Sequence, residues 1–111
     1  MKKKLVVIPI YQSDLIIIQD KDWKKVNKKY GTQAEVRFGA FVFRHLKKSG
    51  RMQYVVCIDK DPSYSLIAHE CVHLTNHLFE DWGIKLDLNN DEPQAYLTGW
   101  FFNEIEKFLK E

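Results

Sequence analysis

The sequence predicts an α+β fold in which a mostly antiparallel sheet is followed by two long helices. Three observations lead to this prediction. Short runs rich in β-branched residues occupy the first half of the chain, as is typical of strands. In the second half, apolar residues recur every three or four positions, as on a helix that faces a core. A length of 111 residues suffices for one hydrophobic core, so we expect residues 1–111 to form a single domain.

Two strands and a short helix are predicted in the first third of the chain. Residues 5–10 and 15–18 are β-branched runs of strand length, and the segment YQSD lies between them. A short helix then follows, with Asp20 as its N-cap and Gly31 at its end. Its apolar face would consist of Trp23, Val26 and Tyr30.

Two further strands and a long helix are predicted next. Residues 34–46 and 52–59 form the strands, joined by the four-residue loop KKSG. Asp61 provides an N-cap with Pro62 at the first helical position, and Gly83 ends the helix. The apolar stripe of this helix comprises Ile67, Cys71, Leu74, Leu78 and Trp82.

A last helix begins after Asn90 or Asp91, either of which is a suitable cap, and runs towards Leu109. Its apolar face comprises Leu97, Phe101, Ile105 and Phe108. The predicted order of elements is therefore β-β-α-β-β-α-α.

The composition narrows the class of protein. The apolar content of 45% argues against disorder, and the two cysteines, Cys57 and Cys71, are too few for a disulfide framework. The N-terminal apolar run is too short for a signal peptide, so we expect a cytoplasmic protein without a membrane span.

The charge is unevenly distributed along the chain. Residues 1–60 hold fourteen Lys and Arg against five Asp and Glu, and residues 61–111 hold three against ten. The lysines at 21, 24, 25, 28 and 29 fit the solvated face of the short helix, and no nucleic-acid-binding motif accompanies them. We therefore do not expect nucleic acid as a partner.

The segment HECVH places His69 and His73 one helical turn apart. They would lie about 40° apart around the helix and about 6 Å apart along it, so both imidazoles can reach one tetrahedral zinc ion. They point away from the apolar stripe. Glu70 lies about 60° beyond His73, where it can overlook the metal without binding it. A carboxylate there can take a proton from a metal-bound water and pass it to the leaving amine.

Catalytic zinc requires a third protein ligand, and Glu92, nineteen residues after His73, is a candidate for it. It lies in the first turn of the last helix, where a carboxylate also interacts favourably with the helix dipole. Ala95 and Gly99 would share its face and let the two helices approach closely. The alternative is that Glu92 is an ordinary exposed glutamate at a capped helix start.

The spacing HExxH-x18-E resembles the gluzincin class of zinc metallopeptidases, and NDEPQAY is similar to the neighbourhood of their glutamate ligand. The segment DEPQAYLTGW also resembles small phage-encoded zincin-like proteins. The specific resemblance covers Ser65 to about Trp100. It implies a zincin-like domain that binds Zn²⁺ through His69, His73 and Glu92, with Glu70 as the catalytic base.

The chain departs from the gluzincin pattern at Tyr96, where many members have an aspartate that orients a histidine. Tyr96 is a candidate for that positioning role, for a hydrogen bond to the oxyanion, or for packing alone. His77 is a candidate for a further metal contact, for a group that supports a ligand, or for a surface or packing residue. Asp91 could replace Glu92 as a ligand but more plausibly caps the helix, and Cys71 belongs to the core stripe.

We therefore expect a zinc-dependent peptidase acting on a peptide or protein substrate, which would pair with residues 52–59 as an added strand. One alternative is a non-catalytic, zinc-stabilised module that binds a protein partner. Another is a nucleic-acid binder that uses the basic half and carries a vestigial metal site. The sequence leaves the substrate and the oligomeric state open.

Overall fold

The computed structural model describes residues 1–111, and the predicted order of elements is confirmed. The chain forms one α+β domain with a four-stranded sheet and three helices. The elements are β1 (Lys2–Ile8), β2 (Ser13–Gln19), α1 (Lys24–Tyr30), β3 (Ala40–Leu46), β4 (Met52–Ile58), α2 (Tyr64–Asp81) and α3 (Glu92–Lys110).

The sheet is mixed, with strand order β1-β2-β4-β3. β1 pairs with β2 and β3 pairs with β4 in antiparallel fashion, as two hairpins. The hairpins join through a parallel pairing of β2 with β4, in which Leu15 lies opposite Tyr54 and Ile18 lies opposite Cys57. The sheet is mostly antiparallel, as expected, because both hairpins are antiparallel. The parallel pairing of the two central strands was not predicted. A parallel pair requires a long crossover, which here contains α1 and β3.

Helices cover both faces of the sheet. On one face, Trp23 and Val26 are buried against β2 and β4. Phe41 and Phe43 of β3 are partly buried and pack against this cluster. On the other face, α2 and α3 pack on a larger core that includes Leu15, Ile17, Tyr54, Val56, Leu74, Leu78, Phe101 and Ile105. The two central strands are therefore buried on both sides, which explains their nearly unbroken apolar sequences.

The two long helices lie side by side across the sheet. α2 packs over β4 and the edge strand β3. At the opposite edge, the C-terminal end of α3 contacts β1, where Lys2 Nζ donates a hydrogen bond to the carbonyl oxygen of Phe108. The helices meet each other through Thr75 and Thr98, whose Oγ1 atoms lie 2.9 Å apart. None of the helices is long and apolar enough to cross a membrane.

Several predicted helix boundaries are corrected by the structure. α2 begins after Ser63, whose Oγ accepts a hydrogen bond from the Leu66 amide at 3.1 Å, so the prediction of Asp61 as the cap is wrong. α1 begins at Lys24 instead of directly after Asp20. Asp91 holds the N-cap position of α3 but makes no side-chain capping hydrogen bond.

The predicted glycine helix ends are confirmed, because Gly31 and Gly83 both have left-handed backbones, with φ of 70° and 68°. The prediction that Trp82 belongs to the core stripe of α2 is wrong, because Trp82 is the C-cap of the helix and is 48% exposed. The four preceding members of the stripe are buried as predicted.

The strand predictions err mainly in extent. The first strand was predicted at residues 5–10, but β1 begins three residues earlier and ends at Ile8. Ile10 lies in the turn after it, with φ of 61°. Residues 34–39 precede the third strand, which starts only at Ala40. The KKSG loop is confirmed as a hairpin connection, closed by a hydrogen bond from the Lys47 amide to the Arg51 carbonyl.

Candidate metal centre and the groove beside it

The histidine pair of HECVH lies on the solvent-facing side of α2. The buried stripe of Ile67, Cys71 and Leu74 fixes the opposite side of the helix against the sheet, so His69 and His73 project outward and are exposed. Their Nε2 atoms lie 3.0 Å apart, with the two rings inclined at 77°. Two nitrogens bound to one tetrahedral zinc at about 2.05 Å would be about 3.3 Å apart. The two nitrogens are within hydrogen-bond distance of each other, and a further separation of about 0.3 Å would place them at two positions of a tetrahedral metal site.

Glu70, between the two histidines in sequence, points to a different side of α2. Its side chain is buried, with 5% exposure, and its Oε2 atom has no hydrogen-bond partner. Burial raises the pKa of this carboxyl above its usual value, and the nearby His73 and His69 act in the opposite direction. The structure thus holds a carboxyl group beside the histidine pair with one oxygen free to accept a proton or a hydrogen bond.

A groove of about 390 Å³ runs between α2 and the edge strand β3. Its lining residues are Phe38, Ala40, Phe41, Val42, Glu70, His73 and His77. Because β3 is paired on one side only, its outer backbone groups are available to an added strand. The strand at residues 52–59 was predicted to offer that edge, but β4 lies in the interior of the sheet, between β2 and β3, so this prediction is wrong.

A charged network around Arg44 of β3 adjoins the groove at His77. The guanidinium contacts Asp81 Oδ1 at 2.7 Å, Glu80 Oε1 at 3.0 Å and His77 Nδ1 at 2.8 Å. Asp81 also accepts a hydrogen bond from the buried Tyr54 hydroxyl at 2.7 Å. Burial, followed by the positive charge of Arg44, lowers the pKa of His77. The network joins β3, β4 and the last turns of α2.

Little in the sequence indicates that Arg44 lies beside the candidate site or that β3 is an edge strand. The strand reads AFVFRHL, with apolar residues on both faces, since one face packs on α1 and the other meets α2. Alternation of apolar and polar residues, which normally marks a half-exposed strand, is therefore missing. The single basic residue on the α2-facing side, Arg44, was the available clue.

The structure does not bring Glu92 to the histidine pair. Glu92 is exposed at the first position of α3, and no group of three or more His, Cys, Asp or Glu side chains is arranged to hold a metal ion. α3 meets α2 at Thr75, which lies about 120° around the helix from His69 and about 160° from His73. The structure therefore brings the predicted ligands His69 and His73 close to the predicted base Glu70. Ligation by Glu92 stays a prediction.

The predicted close approach through small residues is wrong. Ala95 and Gly99 are exposed, and a Cβ placed on Gly99 would meet nothing within 4 Å. These residues line a second concave surface together with Glu92 and Tyr96, on the outside of α3. Tyr96 is 76% exposed and makes no hydrogen bond, so its predicted positioning or oxyanion role has no partner at this geometry.

We compared the chain with protein-family models, curated proteins and solved structures. No family model, no curated protein and no solved structure matches the chain.

Proposed function

We propose that this protein is a zinc-dependent peptidase that cleaves an extended peptide lying in the groove between α2 and β3. The observation that carries the proposal is the Glu70 carboxyl, which is buried beside His73 with Oε2 unpartnered. An unsatisfied buried polar group costs about 1–3 kcal/mol of stability, and more if it is charged. Retaining such a group at the floor of a groove is understandable if its oxygen serves a reacting water or a substrate.

His69 and His73 are the residues that would hold the metal in this proposal. When bound, zinc would supply a positive charge that polarises a peptide carbonyl, and it would lower the pKa of a water molecule beside it to about 7. Two imidazoles fit that ion, and Glu92 remains the proposed third ligand although it lies apart from them. Its ligation requires the Glu92 side chain to approach the pair from the exposed start of α3.

The substrate would bind to the outer edge of β3 by strand addition, with its main chain hydrogen-bonded to that edge. Val42 and the rings of Phe38 and Phe41 provide apolar contacts for its side chains. Glu70 would take a proton from the attacking water and deliver it to the leaving amine nitrogen. Its raised pKa suits a group that must hold a proton between these two steps.

Support for a cytoplasmic location comes from the thiols. Cys57 and Cys71 are both unpaired and buried, and burial raises the pKa of each to about 12, with the Glu70 charge contributing. Such thiols are weakly reactive and suit a reducing compartment.

The test compares wild type with Glu70→Gln, using protein prepared without chelators. Glu70→Gln should retain bound zinc, measured by elemental analysis, and lose cleavage of a peptide library by at least 100-fold, the lower end of a general-base contribution. Glu106→Gln, on the other long helix, is the matched control and should cleave at the wild-type rate. Equal cleavage by Glu70→Gln and wild type would remove Glu70 from the mechanism.

A second candidate function is a metal-stabilised binding module without catalysis. It is favoured by the separation of Glu92 from the histidine pair, because a site with two protein ligands is less complete than known catalytic zinc sites. In this case zinc would raise the melting temperature and peptides would bind along β3, while no peptide in the library would be cut.

A further inference from the structure

We propose that His77 donates a hydrogen bond from Nε2–H to a carbonyl oxygen of the peptide in the groove, and that Arg44 is the positioning residue that fixes this donor. The inference rests on the proposed function, because it takes the occupant of the groove to be a peptide. It assigns a transition-state donor that the sequence alone did not identify.

The hydrogen bond between Arg44 and His77 determines where the imidazole carries its proton. Arg44 Nη2 lies 2.8 Å from His77 Nδ1. A guanidinium group has only donors, so Nδ1 must present its lone pair to Arg44. A neutral imidazole that accepts at Nδ1 carries its hydrogen on Nε2.

The charges around His77 favour this neutral form. Burial disfavours a second proton on the ring, as do Arg44 on β3 and His73 on α2, while Asp81 and Glu80 of α2 act in the opposite direction. The two carboxylates are themselves engaged by the Arg44 guanidinium, at 2.7 Å and 3.0 Å.

Arg44 is itself held from two further elements. Asp81, at the end of α2, binds its Nη1 and also accepts a hydrogen bond from Tyr54 of β4, which is fully buried. The imidazole of His77 is thus oriented by a chain of hydrogen bonds that runs through Arg44 and Asp81 to the buried Tyr54. Such a chain removes rotational freedom from the donor before any substrate arrives, which is how preorganised catalytic donors work.

The Nε2 atom of His77 makes no hydrogen bond within the protein, and the residue lines the groove together with Glu70 and His73. His77 lies one helical turn beyond His73, about 6 Å along the axis. The groove therefore presents an acceptor at Glu70 and a donor at His77, which matches the N–H and C=O groups of a peptide. A hydrogen bond to the carbonyl oxygen becomes stronger as that oxygen gains negative charge during attack.

His77 is poorly suited to bind the metal itself. Its Nδ1 is occupied by Arg44, and the guanidinium charge 2.8 Å away opposes a cation on the same ring. These observations favour a donor role over the further metal contact that its spacing had left open.

The first experiment reads the tautomer directly by nitrogen-15 NMR of the imidazole rings in metal-free wild type. We expect a pyridine-type Nδ1 and a pyrrole-type, protonated Nε2 for His77. In Arg44→Met the ring should lose this fixed tautomer and show a mixture. A protonated Nδ1 in wild type would overturn the proposal, whatever the activity of the protein.

The second experiment measures peptide cleavage by His77→Leu and His77→Gln. His77→Leu should lower kcat by about 10²–10³-fold with little change in KM and no loss of zinc, as for removal of one oxyanion donor. His77→Gln, whose amide can still donate, should recover part of that loss. His45→Leu is the control, because His45 packs on Tyr30 at the opposite face of β3. Unchanged kcat in His77→Leu would overturn the proposal.

Titration with a pool of acetylated and amidated hexapeptides separates this inference from the proposed function. If wild type binds but does not cut the peptides and the His77 Nε2–H resonance shifts, the donor stands and the peptidase proposal fails. If the β3 amides shift while His77 does not, the donor role fails alone. If no resonance shifts and no peptide is cut, both proposals fail.

Discussion

Replacing Glu70 by methionine should make the metal-free protein more stable. In wild type, the Glu70 side chain is 5% exposed and Oε2 has no partner, so the folded state bears the penalty of a buried, unsatisfied polar group. Methionine has a similar length and no group that requires a hydrogen bond. Replacing buried charged groups by apolar ones of similar volume is often neutral or stabilising.

The expected gain is about 1–3 kcal/mol, the penalty attached to a buried group without its partner. For a domain of this length, 1 kcal/mol corresponds to roughly 4 °C in melting temperature. Glu70→Met should therefore melt about 4–12 °C above wild type at neutral pH. The same variant should be inactive, which would place Glu70 among residues kept for function at the expense of stability.

Calorimetry and urea unfolding of both proteins, after treatment with a chelator, provide the measurement. Glu106→Met is the control, because Glu106 lies on α3 and pairs only with Lys110 one turn away, a contact worth about 0.3–0.5 kcal/mol. A Glu70→Met protein that melts below wild type would mean that the carboxyl makes stabilising interactions. The functional interpretation of its unpartnered oxygen would then be refuted.

Four further outcomes are expected. The pKa of Asp14 is lowered because Arg51 donates hydrogen bonds to its carboxylate. The ionised Asp14 therefore stabilises the fold above the pKa of the unfolded state, and this stabilisation is lost as the pH falls towards the pKa of the folded state. Arg51→Met removes it, so acid unfolding of this variant, followed by circular dichroism, should begin at a higher pH than in wild type. Leu74→Ala, at a fully buried site, should cost about 2–5 kcal/mol in urea unfolding. Gly83→Ala should cost about 1–2 kcal/mol in the same assay, from the left-handed backbone alone, because an added Cβ meets no atom within 4 Å. His73→Ala should lower zinc affinity in calorimetric titration, and unchanged affinity would exclude the histidine pair as the metal site.

The spacing of apolar residues along the sequence was sufficient to predict the helices that carry the candidate site. The stripe through Ile67, Leu74 and Leu78 fixes which side of α2 faces the sheet, and the outward position of His69 and His73 follows from helical geometry. Their mutual distance could be anticipated for the same reason, since residues four apart on a helix are neighbours.

The arrangement of separate elements could not be derived in this way. The position of Glu92 relative to the histidines depends on how α3 packs against α2, where Thr75 contacts Thr98 beside a shared apolar core. Neither threonine stood out in the sequence. The edge position of β3 was likewise hidden, because helices pack on both of its faces and its sequence is therefore as apolar as that of an inner strand.

The parallel pairing at the centre of the sheet has a consequence for how the chain acquires its structure. It joins Asp14 to Gln53, 39 residues later, whereas each hairpin closes over a short turn. We expect the hairpins to form first and their docking to limit the folding rate, since distant contacts bring the larger loss of chain entropy. During synthesis, β2 would remain unpaired along one side until residue 58 leaves the ribosome. During that interval four consecutive aliphatic residues are uncovered, which makes the nascent chain prone to aggregate.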